Sequence, residues 1–304
     1  MNDVRRTQDL YAEGITSHEL TKQVASGELL RLCRGVYGAP VRLSPEQAHR
    51  RLVQATLPQL GPDAVASHAS AAILLGLPVE GRALGRVHVT RRSALHGRAR
   101  ANLAQHTYLL MDDEVVLIEG IACTSAIRTA IDLGLTSQFE WAVGACDAVL
   151  HRRLADPDQL SAACGRAKGR HGVGSARAAV AFADGRAESI LESISRVQIH
   201  RLGLPAPVLQ HPIELDGRVV AFSDFAWPEL RVVGEADGVA KYGDQAFDQR
   251  SGTEVIRDEK RREEDIRDAE WFIVRWDWAV AHRPAVLERR IRAGFAHAAR
   301  GLVA

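Results

Sequence analysis

The chain has 304 residues, 46% of them hydrophobic and 25% charged, which fits a globular protein of about two domains. A formal net charge of +1 excludes a global field drawing it to nucleic acid or membrane, so any such contact must be a local patch. Cys33, Cys123, Cys146 and Cys164 form no C-x-x-C pair, which argues against a zinc ribbon or disulfide framework and suits a reducing cytoplasm; neither a signal peptide nor a membrane-spanning run is expected.

Residues 4–13 read as a short helix with Leu10 and Tyr11 as its apolar positions, ended by Gly14. Thr16 or Ser17 caps the next helix, with Glu13 and Glu19 near but out of capping-box register. Leu20 and Val24 give that helix an apolar side, and Ser26-Gly27 stops it. Leu29 to Tyr37 then alternates irregularly, so the outline is helix, turn, helix and small β-wing, as in a winged helix-turn-helix. In that reading Thr16, Ser17, His18 and Lys22 face DNA, and Arg31 and Arg34 touch phosphate from the wing. The alternative is a small helical domain packed on the rest, since charges over residues 1–40 cancel. The stretch Gly14-Ile-Thr-Ser to Gly35-Val-Tyr-Gly38 resembles the N-terminal domain of AbiEi-type antitoxins. That resemblance implies a toxin–antitoxin setting with a cognate toxin protein as partner.

Over residues 41–180 the pattern is α-rich with a few strands. Helices are expected over 45–60, from Ser67 to Gly76, over 124–133 behind Ser125, and from Phe139 to Leu154; Val87 to Thr90 is a short strand. This order also resembles the AbiEi-like antitoxin body. From Gly81 to Thr107 there is no Asp or Glu, while Arg82, Arg86, Arg91, Arg92, Arg98 and Arg100 are present, and arginine forks suit phosphate oxygens. Arg91 and Arg92 are therefore candidate nucleic-acid contacts; a solvated loop is the alternative. Arg166 to His171 reads as a linker loop. The histidines show no metal-ligand spacing, and no phosphate loop, nucleophile elbow or dinucleotide fingerprint is present.

Two apolar runs, Val219 to Ala226 and Leu230 to Gly234, flank Trp227-Pro228-Glu229-Leu230 and read as a β-hairpin, with Pro228 at the first central position of a type I turn. If Trp227 pairs with Leu230, Asp224 lies opposite Val233 and shares a face with Glu235 and Asp237. Bare carboxylates on apolar strands need a partner, and a divalent cation is a natural one. The alternative is ion pairing of Glu235 and Asp237 with Arg196 or Arg218, with Asp237-Gly238 as a turn.

Asp224-Phe-x-Trp, an apolar strand and Glu235-x-Asp237-Gly resemble the DUF559 domain, which is similar to the very-short-patch-repair endonucleases of the PD-(D/E)xK superfamily. Glu192-Ser-Ile-Ser-Arg196, Gly203 to Pro207, Lys260 to Arg267 and Trp271 to Trp276 follow in the family's order, so the likeness spans residues 185–282. It implies metal-assisted phosphodiester hydrolysis with Mg²⁺ or Mn²⁺. Asp224 and Glu235 would bind the metal, Glu192 would hold a metal-bound water, Asp237 would be a ligand or orient the nucleophile, and Lys241 would neutralise developing charge. Arg196, Lys260 and Arg261 would meet the nucleic-acid backbone. The family's Glu-x-Lys is Glu-x-Asp here, with Lys241 displaced along the chain. That departure leaves a second reading, an antitoxin-like transcriptional regulator using a nuclease fold as scaffold.

The expected architecture is α/β (α+β overall): a winged helix at 1–40, an α-rich body at 41–180, a restriction-endonuclease-like mixed sheet flanked by helices at 185–282, and a helix at 285–304. That last helix, with Ile291, Phe295 and Ala298 on one side, would dock on the body or join a homo-oligomer.

Overall fold

A computed structural model describes residues 4–91, 102–237 and 252–301. It is a mixed α/β structure that divides into two compact units, residues 1–149 with 153–181 and residues 150–152 with 182–304. Segments 1–40 and 41–180 thus fall in one unit, and the C-terminal helix belongs to the second.

The first unit opens with β1 (Arg5–Arg6), α1 (Thr7–Ala12), α2 (Ser17–Ser26), β2 (Leu30–Cys33) and β3 (Val36–Gly38). Arg5 and Arg6 pair with Tyr37 and Val36, so the first helix begins at Thr7 rather than residue 4, and the sheet order is β1-β3-β2. The capping box expected to miss its register is in register. Thr16 is the N-cap and Glu19 the third helical residue; Thr16 Oγ1 accepts from Glu19 N at 3.2 Å and Glu19 Oε2 accepts from Thr16 N at 2.7 Å. Gly27 ends α2 in the left-handed region, φ 79°.

There follow α3 (Pro45–Thr56), β4 (Ala64–Ala66), α4 (His68–Leu75), β5 (Val87–Arg91), β6 (Leu103–His106), β7 (Val115–Ile118), β8 (Ile121–Thr124), α5 (Ala126–Thr136), α6 (Phe139–His151), α7 (Pro157–Arg166) and α8 (Val173–Phe182). The strands form a five-stranded mixed sheet in the order β6-β5-β4-β8-β7, with β5 parallel to β6 and β4 parallel to β8. The body is thus more strongly β than its sequence pattern implied. Val53 and Leu57 pack with Ala71 and Leu74 of α4 and with Val87, Val89 and Leu103 of the sheet in one buried cluster. A second cluster joins Ile131 and Leu135 of α5 to Ala163, Cys164 and Ala176 of α7 and α8.

The second unit contains α9 (Ile190–Arg201), β9 (Val208–Leu215), β10 (Arg218–Trp227), β11 (Val232–Asp237), α10 (Gly252–Asp268), β12 (Phe272–Asp277), α11 (Trp278–Ala281) and α12 (Pro284–Gly301). Its sheet order is β12-β11-β10-β9, antiparallel at β9-β10-β11 and parallel at β11-β12. A parallel return needs a crossover, and α10 lies on it. Ile213, Ala221 and Val233 are buried with Ile266 of α10 and with Ala269 just after it. Toward α9, the Trp276 indole N–H donates to Ser195 Oγ at 2.8 Å and its ring lies 5.2 Å from that of Phe225. A Cβ on Gly234 would collide with the Trp276 ring, so that strand position requires glycine. Phe295 of α12 meets Trp227 edge-on at 5.1 Å, so the last helix docks within this unit.

The hairpin register corrects the expectation from its turn. Pro228–Leu230 is a 3-10 turn and Arg231 adopts φ 51°, so Trp227 pairs with Val232 rather than Leu230. Ala226, not Asp224, lies opposite Val233, and Asp224 falls beside the Glu235–Ala236 end of β11.

Candidate functional site

Two acids of the second unit, Glu192 of α9 and Asp224 of β10, come together beside the C-terminal end of β11. Asp224 is half-buried just past the last pair of the β10–β11 ladder, where its Oδ2 accepts from Ala236 N at 2.8 Å. Glu192 sits in the first turn of α9, where the N-cap Ser189 hydroxyl accepts from Glu192 N at 3.2 Å. Its carboxylate is buried and Oε2 accepts from Glu188 N at 2.9 Å and from Gln210 Nε2 at 3.3 Å. Burial, and then the nearby charge of Asp224, push its carboxyl up to about 7. Gln210 itself lies on β9 with φ 49°.

Glu235 keeps different company. It is 4% exposed, Arg275 Nε donates to its Oε2 at 2.8 Å, and Arg262 Nη2 lies 2.7 Å from its Oε1. Arg275 is its partner in the parallel β11–β12 register, and also reaches Glu259 and Glu263 of α10, each at 3.0 Å. Arg262 further donates to Phe222 O at 3.0 Å. Each carboxylate oxygen of Glu235 thus faces a guanidinium, Oε2 with a hydrogen bond from Arg275 and Oε1 in an ion pair with Arg262 that makes no hydrogen bond, and Arg262 and Arg275 are the partners the sequence did not reveal. Asp237 is exposed at the end of β11, in register with Asp277, whose side chain caps α11. Lys241 lies outside the described residues.

The cationic candidates divide in the same manner. Lys260 and Arg261 are exposed on α10, Lys260 at 3.8 Å from Glu264. Arg196 instead donates to Phe182 O at 2.6 Å and covers the Phe182 ring at 4.4 Å. In the first unit Thr16, Ser17, His18 and Lys22 are exposed about α2, and Arg31 and Arg34 on the following hairpin. Arg91 is half-buried and donates to Asp63 Oδ1 at 2.6 Å and Leu60 O at 3.2 Å, which ties β5 to the loop before β4. Arg92, with Arg98 and Arg100, lies outside the described residues.

One polar cluster was missed. His68 at the start of α4, His88 on β5 and His106 on β6 bring one ring nitrogen each to within 4.8 Å of one another. The pairing of β5 with β6 and the packing of α4 on that sheet create this cluster, which linear spacing does not show. Burial, first, holds the His88 and His106 rings down at about 4 and His68 well below its ordinary range. All three rings are therefore neutral at pH 7, the state that ligates metals.

No protein-family model matches the chain. It is similar to two uncharacterized proteins of Mycobacterium tuberculosis, from strains CDC 1551 / Oshkosh and H37Rv. Each is 29% identical over 260 residues, covering 86% of this chain and 89% of the relative. Among the described residues no helix is long and apolar enough to cross a membrane.

Proposed function

We propose that this is a DNA-associated protein whose second unit is a restriction-endonuclease-like domain acting in Mg²⁺- or Mn²⁺-dependent phosphodiester hydrolysis. The observation that carries the reading is the approach of Glu192 on α9 to Asp224 beside the C-terminal end of β11. The residues fit a divalent cation in one arrangement. Glu192 and Asp224 are close enough to repel, and a cation between them would relieve both the repulsion and the burial of charge. Glu235, held by two arginines, is a positioning residue in this scheme: its clamp ties β11 to α10 and β12. Asp224 with Glu192, rather than Asp224 with Glu235, is the ligand pair.

When bound, the cation lowers the pKa of a coordinated water and stabilises charge on a phosphate oxygen. Glu192, with a carboxyl near 7, is poised to exchange a proton at neutral pH before the cation binds. Exposed Asp237 orients the attacking water, and Lys241 supplies positive charge from the segment that follows. Lys260 and Arg261 hold the nucleic-acid backbone from α10. In the first unit α1, α2 and the β2–β3 hairpin act as a winged helix-turn-helix. There Thr16, Ser17, His18 and Lys22 meet DNA and Arg31 and Arg34 meet phosphate.

The test is nicking of supercoiled plasmid with Mg²⁺ by wild type, Asp224→Ala and an Arg267→Ala surface control. Nicking lost only in Asp224→Ala supports the reading; nicking that persists in Asp224→Ala, or none by wild type, contradicts it. A second reading is an antitoxin-like regulator that binds its own promoter and a cognate toxin. The pairing of Glu235 with Arg262 and Arg275 favours it, because that acid is engaged in structure. A promoter footprint unchanged in Asp224→Ala, without nicking, would select it.

A further inference from the structure

We propose that His68, His88 and His106 form a binding site for a transition-metal ion of the Zn²⁺ class, separate from the carboxylate site. The donor atoms follow from what the other ring nitrogens do. His68 Nδ1 lies 3.0 Å from Ser67 Oγ, whereas its Nε2, on a side chain 2% exposed, has no hydrogen-bond partner. A buried ring nitrogen without a partner costs about 1–3 kcal/mol unless something occupies its lone pair. His88 Nδ1 and His106 Nε2 face each other at 3.2 Å, and the backbone of Ala83 also bonds to the His88 ring. The three donors are thus His68 Nε2, His88 Nδ1 and His106 Nε2; the His68 and His106 rings stack at 3.6 Å and 15°, with their in-plane lone pairs side by side, so the ion is admitted as the His106 ring turns out of that stack and out of its contact with His88.

The surroundings have the form of a histidine metal site. Ligand histidines commonly give their second nitrogen to a carboxylate, hydroxyl or carbonyl, which fixes ring orientation and raises basicity. Ser67 does this for His68, the backbone of Ala83 bonds to the His88 ring, and Asp132 Oδ2 lies 4.0 Å from His68 Nδ1. Asp132 is fully buried; Arg128 and Arg170 each contact its Oδ1 at 3.0 Å, and its Oδ2 is left without a hydrogen-bond partner on the side of the histidine. His68 also adopts φ 50°, a strained conformation for a non-glycine residue that turns its ring into the cluster as α4 begins. His68 and His88 line a cleft of about 440 Å³, which gives an ion a path in and room for a water as fourth ligand. Three imidazoles select Zn²⁺, Co²⁺, Ni²⁺ or Cu²⁺ over the oxygen-seeking Mg²⁺.

The experiment is calorimetric titration of Zn²⁺ into metal-stripped full-length protein with excess Mg²⁺ present, using wild type, His88→Gln, His106→Gln and Asp224→Ala. Circular dichroism of each variant reports folding, and Co²⁺ substitution supplies a visible absorption band for tetrahedral nitrogen ligation. The expected result is one Zn²⁺ per chain in wild type and in Asp224→Ala. Each folded histidine variant loses affinity by more than the roughly 10–100-fold that an outer-shell change costs. Absence of Zn²⁺ binding by wild type, or binding unchanged in the folded histidine variants, overturns the proposal. Loss in Asp224→Ala with retention in the histidine variants would place the ion at the carboxylates and overturn it equally.

Discussion

Glu235 in the second unit and Asp132 in the first are both buried acids held by two arginines, yet they are held differently. Glu235 has a guanidinium at each oxygen, Arg262 at Oε1 and Arg275 at Oε2. Asp132 takes both of its guanidiniums, Arg128 and Arg170, on Oδ1 and leaves Oδ2 toward His68. Burial outweighs the two arginines and raises the Asp132 carboxyl above its usual range. An acid with a guanidinium at each oxygen joins elements together. An acid with both guanidiniums on one oxygen can still act on a neighbouring ring. The first arrangement makes Glu235 a fastening between β11, β12 and α10, and the second makes Asp132 the support of a histidine site.

The largest effect should come from removing Glu235. Glu235→Ala takes from Arg262 and Arg275 the acid that ties β11 to them and leaves Arg275 on Glu259 and Glu263 and Arg262 on Glu259 and Phe222 O; it should cost about 3 kcal/mol, at the low end for a broken buried pair because both arginines keep other partners and are about a third exposed. Urea unfolding followed by tryptophan fluorescence measures this, since Trp227, Trp271, Trp276 and Trp278 all lie in the second unit. A loss below 0.5 kcal/mol, the ordinary surface range, would mean that the clamp carries no structure.

Glu192→Gln should move stability the opposite way. The folded-state pKa of Glu192 is raised to about 7 from an ordinary 4.5, so the folded chain holds this proton more tightly than the unfolded chain. Wild-type stability therefore falls as pH rises from 4.5 through 7. Without metal, the glutamine variant should be more stable by about 2 kcal/mol at pH 8 and equal to wild type below pH 4.5. An excess of Mg²⁺ should close the gap. A gap that is the same at pH 4 and pH 8 would remove the electrostatic explanation.

Asp132→Asn tests the second acid. It keeps the side-chain shape and should weaken Zn²⁺ binding about 10-fold while leaving Mn²⁺ binding at the second unit unchanged. Equal Zn²⁺ affinity in variant and wild type would detach Asp132 from the histidine site. The smallest effect is expected at Thr16: Thr16→Ala removes the α2 cap and should cost about 1 kcal/mol, read as faster amide exchange in α2. Zn²⁺ and Mn²⁺ titrations of that variant should match wild type.

The same two regions explain what was legible in the sequence. Asp224, Glu235 and Asp237 of the second unit lie on a hairpin whose turn is marked by Trp227-Pro228, and a two-residue error in its register leaves the alternation along β11 intact. What the pattern could not give was the guanidinium at each Glu235 oxygen, because Arg262 and Arg275 come from α10 and β12. The first unit hid more. β4 has three residues and β6, β7 and β8 have four each, too short for alternation to stand out. His68, His88 and His106 come from a helix and two strands, so their meeting depends on that unread sheet. One overlooked element did carry a signal: Asp156-Pro157 with Gln159 is a capping box with proline at the first helical position, and it opens α7.

The most direct test of the central claim is calorimetric titration of Mn²⁺ into wild type and Asp224→Ala at pH 7.5, with the histidine site first filled by Zn²⁺. One Mn²⁺ site is expected in wild type, lost in Asp224→Ala and in Glu192→Gln but retained in Glu235→Gln. Identical Mn²⁺ binding by wild type and Asp224→Ala would contradict it.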